Sequence, residues 1–319
     1  MPPPERSTRR PLDAQALARV LGRLNRAAGP PWLHGEVARR MAERLAVIKL
    51  QPKAVADWPA HTGASRPLLK QAYPAAELLA VETDAARRDA SAAALARPWW
   101  SPERWRSGAA RVRTPEQLGA GEVQLLWSNM ALHLAADPQA LFAAWHRAVA
   151  VDGFLMFSTL GPGTLTTLRS LYATQGWGEP FAPFVDMHDL GDMLVEAGFA
   201  DPVMDQETLT LTWQDAGQAL DELRGLGGNM AAGRMPGLRT PRWRQRLLDA
   251  LSAQAQQTSD GRIALPFEIV YGHAFRPLPR PRVAAETSLP LDDLRAMVRS
   301  GRGAGPRRSP RPGDPGALG

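Results

Sequence analysis

Apolar positions early in the chain recur at helical spacing. Leu17, Val20, Leu21 and Leu24 follow Asp13, a residue type that caps helix starts, and Gly29-Pro30-Pro31 ends the run. A second helix is predicted through Val37, Met41, Leu45 and Ile48, with Arg39, Arg40 and Arg44 on its other faces, up to the break at Gln51-Pro52. The texture then changes to short apolar runs separated by amphipathic stretches. Lys53–Asp57 and Glu77–Glu82 read as strands around a helix from Ser65 to Tyr73, a βαβ opening. The alternation continues with a helix over Asp84–Leu95, a strand over Val123–Ser128, a helix behind Asp137-Pro138 and a strand over Phe154–Ser158 opened by Gly153. A helix over Asp189–Ala197 stops at Gly198, and strands follow over Leu209–Trp213 and Ile263–Phe275. The expected fold class is α/β: a doubly wound, mostly parallel seven-stranded sheet over residues 52–275, preceded by N-terminal helices over 13–51.

Composition narrows the chemistry. Of 319 residues, 44% are hydrophobic and ten are Trp, enough to build a core, whereas the absence of Cys excludes disulfides, thiolate metal sites and a catalytic thiol. The net charge of +6 is a property of the ends. Residues 276–319 hold nine arginines against four acids and residues 1–11 hold three against one, so residues 12–275 carry a net −1. No aromatic residues interleave with the terminal arginines to stack bases, so no nucleic-acid partner is expected. With only three lysines and much Ala, the Arg excess reads as a GC-rich bacterial genome as readily as selection for phosphate contacts. Residues 1–12 and 276–319 are expected to be disordered, except that Leu291–Val298 has the pattern of a short amphipathic helix, a candidate docking motif. No apolar run suggests a signal or a membrane span, so the expected location is cytoplasmic.

In an open α/β sheet the ligand lies beyond the carboxyl ends of the strands, here the turn after Val55-Ala56-Asp57 and the end of Val81-Glu82. An acid about twenty residues beyond a tight first turn is placed to accept hydrogen bonds from ribose hydroxyls, and Glu82 lies 25 residues after Asp57. The six histidines form no HExxH-like or paired arrangement, so no metal is expected.

Four blocks resemble successive motifs of class I S-adenosylmethionine methyltransferases, which have a Rossmann-like fold: Asp57-Trp58-Pro59-Ala60-His61-Thr62-Gly63, Ala80-Val81-Glu82, Leu126 to His133, and Asp152-Gly153 through Phe157-Ser158-Thr159-Leu160. Trp127-Ser128-Asn129 with Ala131-Leu132, Gly161-Pro162-Gly163-Thr164-Leu165, and Leu226-Gly227-Gly228-Asn229 with Gly233-Arg234 narrow the resemblance to the BioC branch, the malonyl-ACP O-methyltransferases of biotin synthesis. The resemblance runs from about Leu17 to Phe275. It implies S-adenosyl-L-methionine as cofactor, held by Asp57, Gly63, Glu82, Ser128 and Asn129, with acyl carrier protein in its malonyl form as partner. It also implies a lid insertion at about 214–262, in which Arg234 is the candidate fork for the malonyl carboxylate. No side chain is assigned a catalytic role, because the sulfonium methyl is already activated and the enzyme aligns and desolvates. Arg23, Arg26, Arg39, Arg40 and Arg44 are candidates to meet an acidic carrier.

The chain departs from the pattern where three glycines are usual: Pro59, His61 and Gly63 stand there, and Thr114 replaces an acid of the adenine region. Two other readings therefore stay open. Asp189-Leu190-Gly191, Ala197-Gly198-Phe199 and Asp221 to Gly227 also resemble a related arginine hydroxylase that assists respiratory complex I assembly, and an eroded first motif suits a non-catalytic scaffold.

Overall fold

The computed structural model describes residues 9–95 and 111–278. Helix α1 (Ala14–Arg26) starts where the Asp13 carboxylate accepts from the Ala16 amide at 2.8 Å, and it buries Ala16, Val20 and Leu24. Helix α2 (Trp32–Glu43) buries Leu33, Val37 and Met41. Strands β1 (Ala54–Asp57), β2 (Glu77–Val81), β3 (Arg111–Arg113), β4 (Val123–Ser128) and β5 (Val149–Leu160) pair in parallel, and the long β8 (Ile263–Phe275) runs antiparallel between β5 and β6 (Ala200–Trp213). The order β3-β2-β1-β4-β5-β8-β6 reverses direction at β1/β4, where Val55 lies between Leu78 and Leu125. The two-residue β7 (Gln256–Gln257) pairs β8 and makes the sheet eight-stranded rather than seven.

Alternation along the strands divides the core into two layers. Val55, Leu125, Trp127 and Phe154 point to one face and pack with α2, α4 (Arg66–Ala72), α7 (Thr166–Gln175), α9 (Ala216–Gly225) and α10 (Pro241–Gln254). Ala56, Leu126, Leu155 and Phe157 point to the other, against α6 (Pro138–Ala148) and α8 (Met187–Glu196). There Trp145 meets Phe142 and Phe157 with ring centroids 5.5 and 6.0 Å apart. Helix α5 (Ala85–Leu95) follows β2, and a single helical turn, α3 (Ala60–Gly63), follows β1 and a cis Trp58–Pro59 bond.

Three expectations change. Of the segment 1–12 expected to be disordered, residues 10–12 are packed: the Arg10 guanidinium donates to the carbonyls of Pro183 (2.7 Å) and His133, and Leu12 bridges Ala231. Strand β6 begins at Ala200 rather than near Leu209, because an edge strand with one solvated side accepts the polar run Asp205-Gln206-Glu207 and tolerates Pro202. Strand β5 begins at Val149, with a register shift against β4 and Asp152 at φ 61° before Gly153. The tail from 279, including Leu291–Val298, lies outside the described residues. Among the described residues no helix is long and apolar enough to cross a membrane.

Candidate functional site

The carboxyl ends of β1, β2 and β4 converge on a buried polar cluster. Asp57 closes β1 with 3% of its surface exposed, and neither carboxylate oxygen has a hydrogen-bond partner. Burial, and then the neighbouring charge of Glu82, push its carboxyl well above the usual range. Glu82 is equally buried, and its Oε1 accepts from the His61 amide and the Ser91 hydroxyl, both at 2.9 Å; burial raises its carboxyl as well. Hence α3 is drawn down onto the end of β2 by a backbone donor, which any residue but proline at position 61 supplies. The His61 ring, beside Arg87, is pushed to lower pKa by burial and by that cation. Pro59 precedes α3, and its carbonyl accepts from the Gly63 amide at 3.0 Å. A Cβ at Gly63 would stand 3.5 Å from Asp57 Oδ1 and 3.7 Å from Ser65 Oγ, so this remaining glycine keeps the approach to the Asp57 carboxylate clear. Thr114 forms a capping box with Gln117.

Ser128 and Asn129 follow at the end of β4. Ser128 Oγ is buried without a partner. The Asn129 amide is engaged throughout: Nδ2 donates to the carbonyls of His34 (2.7 Å) and Gly63 (2.6 Å), and Oδ1 accepts from Ser158 Oγ at 2.6 Å. The expected cofactor contact is thus, in its side chain, a fastener joining α2, α3 and β5. His34 Nδ1 donates to the Thr62 carbonyl at 2.7 Å, and burial lowers its pKa to about 4. His133 is also buried and neutral, its pKa lowered by burial and by His34 and Arg10; its ring lies edge-on to His34 at 6.4 Å.

His133 also lines a cavity of about 300 Å³ beneath α7, α9 and α10, whose walls include Leu168, Tyr172, Phe181, Leu223, Trp243 and Phe267. Sequence reasoning did not find this cavity, because its lining comes from six separate segments. Arg234 does not line the cavity; its guanidinium pairs with Asp13 at 2.6 Å, and its main chain bridges Gly178. The signal was the glycine-rich flank, which here serves local packing: Gly227 and Gly228 take φ of 151° and 127°, and a Cβ at Gly233 would collide with the Glu179 carboxylate. Gly161 and Gly163 likewise make room for the Glu268 carboxylate, which accepts from the Gly163 amide at 3.1 Å. Arg39, Arg40 and Arg44 are held by Glu36, Glu43, Glu207 and Asp205, so these candidates for a carrier contact are already paired within the chain.

The cluster at β1, β2 and β4 suits a cationic, hydroxyl-bearing ligand. The orphaned oxygens of Asp57 are acceptors without donors, the Ser128 hydroxyl is without a partner, and the space beside Asp57 Oδ1 is one that a Cβ at position 63 would enter. No protein-family model matches the chain. The malonyl-acyl-carrier protein O-methyltransferase of Gallionella capsiferriformans is 38% identical over 254 residues, covering 78% of this chain and 85% of that protein. The enzyme of the same name from Laribacter hongkongensis is 39% identical over 275 residues, covering 83% and 88%. The solved YcgJ protein of Bacillus subtilis shares the fold with a TM-score of 0.51 at 10% identity, over 76% of this chain and 99% of that one. With that strand order, and with relatives this similar over most of both chains, the protein belongs to the malonyl-acyl-carrier protein O-methyltransferase family.

Proposed function

We propose that the chain transfers the methyl group of S-adenosylmethionine to the free carboxyl of a malonyl thioester on acyl carrier protein, capping a charge for biotin synthesis. The observation that carries this reading is the pairing of two unlike regions: a buried cluster of acceptors at the sheet's carboxyl edge and a mostly apolar cavity, linked through His34, which holds the α3 turn, and His133, which lines the cavity. In this reading the Asp57 carboxylate takes the ammonium of the donor's amino-acid part, Glu82 the ribose hydroxyls and Ser128 a further polar contact, while Gly63 leaves room for them. The donor, when bound, supplies a methyl group already activated on sulfonium. The chain's own work is to align the acceptor oxygen and exclude water, which the apolar cavity walls favour. The lid over that cavity is the segment 214–262, whose α9 and α10 contribute Leu223, Trp243 and Leu247 to the walls. At the surface, Arg23 and Arg26 in the last turn of α1 are the cations we assign to an acidic carrier.

The relatives' names support this branch over the hydroxylase. The test is to incubate the purified chain with methyl-labelled S-adenosylmethionine and malonyl-ACP. A base-labile methyl ester on the acyl group, absent with acetyl-ACP, is the expected product; no label on malonyl-ACP, with the donor shown to bind, would contradict it.

A further inference from the structure

Three arginines line the cavity, and two of them share one carboxylate. Arg224 and Arg244 face the same Asp221 oxygen at 3.1 and 3.7 Å. Arg239 pairs with no carboxylate among the described residues. Its guanidinium carbon lies 3.7 Å from the centre of the Trp243 ring and 5.5 Å from that of Tyr172, and Nη2 donates to the Trp177 carbonyl at 3.1 Å. Nη1 is buried with no hydrogen-bond partner among the described residues. A guanidinium clamped between an aromatic face and a carbonyl keeps little rotational freedom, and a buried donor without an acceptor is unfavourable until a ligand provides one. The surrounding walls are mostly aliphatic and aromatic, and the polar lining residues His133, Thr164 and Asn229 do not accept from Nη1, so the missing acceptor comes from the occupant.

We propose that Arg239 recognises the free carboxyl of the acyl group, Nη1 donating to it, and so makes the cavity select a carboxyl-bearing thioester over its neutral counterpart. This rests on the methyl-transfer reading above and assigns within it the recognition that the glycine-flanked Arg234 does not supply.

The experiment measures methyl transfer to malonyl-ACP by the full chain, with acetyl-ACP as a competing ligand. Arg239→Gln is expected to raise KM for malonyl-ACP about 100-fold, the loss typical when a charge-assisted contact disappears, and to leave KM for S-adenosylmethionine and the inhibition constant of acetyl-ACP within about twofold. Arg239→Lys keeps the charge and loses the planar fork, so it should recover about a tenth of the affinity. It also carries the test if the Gln variant does not fold. Equal weakening of malonyl-ACP and acetyl-ACP would make Arg239 a structural clamp and overturn the proposal, as would unchanged kinetics in either folded variant. Absence of transfer by the wild-type chain itself would remove the underlying activity, a result separate from normal wild-type turnover with a silent Arg239.

Discussion

At the sheet's carboxyl edge, Asp57, Glu82 and Ser128 gather polar atoms in a nearly water-free place, and Asp57 is left with both oxygens unmatched. The neighbouring cavity under α7, α9 and α10 reverses this pattern, with mostly apolar walls and unmatched donors on Arg239 Nη1 and Trp243 Nε1. Each region is unsatisfied in the opposite sense, one lacking donors and the other an acceptor. Buried polar groups in folded proteins almost always find partners, so these complementary deficits support the proposed reading of one ligand at each region rather than one large one. The Asn129 amide, by contrast, is fully matched, and with His34 Nδ1 it ties α2 to the α3 turn.

Breaking the acceptor side should give the largest effect. Asp57→Asn should lower kcat/KM for methyl transfer by on the order of 4 kcal/mol, because a buried ion pair loses its charge. It should not lower stability at pH 8. Burial raises the Asp57 carboxyl, so in the wild type stability declines as pH rises from the ordinary carboxylate range through the elevated folded value, and asparagine removes that loss. Melting curves at pH 5 and 8 beside steady-state kinetics check both parts; a fall in melting temperature matching the loss of activity would make Asp57 structural.

The boundary between the regions has a pH signature. His34 stays neutral in the fold down to about pH 4, whereas the unfolded chain takes up that proton near 6.5. Native stability should therefore fall as pH drops from 6.5 to 4, by at most about 3 kcal/mol from this residue. His133 acts in the same direction, and Asp57 and Glu82 in the opposite one, so the informative quantity is the difference between wild type and His34→Gln. Denaturant titrations across this range should show a shallower acid decline in the variant; parallel curves would contradict the assignment.

Filling the cavity sharpens the contrast from its apolar side. Leu223→Trp should raise KM for malonyl-ACP with little change in KM for S-adenosylmethionine, at a stability loss of about 1–3 kcal/mol from overpacking. A rise in both constants would mean that the two ligands share one space. The smallest effect is expected at Arg234. Its pair with Asp13 is partly solvated, 26% exposed on the arginine side, so Arg234→Ala should reduce stability by about 0.5–1 kcal/mol and leave turnover nearly intact. A large loss of kcat/KM would return it to the substrate site.

The alternation of short strands and amphipathic helices made the sheet legible, since every central strand is apolar on both faces and each lies where that pattern falls. The edge strand β6 was half hidden, because solvated Asp205, Gln206 and Glu207 mask its period, and the packed residues 10–12 carry no apolar repeat at all. In the site, the acids at the ends of β1 and β2 were legible because topology alone places them there. Asn129 was read from a motif as a ligand contact, yet its role comes from three partners 29 to 95 residues away, which no local pattern encodes. Arg239 was missed for a similar reason. What distinguishes it from the other 34 arginines is Trp243, Tyr172 and the Trp177 carbonyl, brought together by the packing of α7 against α10.

Everything above depends on whether the acceptor cluster, built with Pro59 and His61 in place of glycines, holds the methyl donor. Calorimetric titration of the purified chain with S-adenosylmethionine measures this directly. Saturable one-to-one binding with a dissociation constant below about 100 µM, in the range where enzymes commonly work, and weakened at least tenfold by Asp57→Asn, is the predicted result. No heat of binding up to about 1 mM, the upper end of that range, from protein with a normal melting transition would contradict the account and leave a methyltransferase fold without its donor.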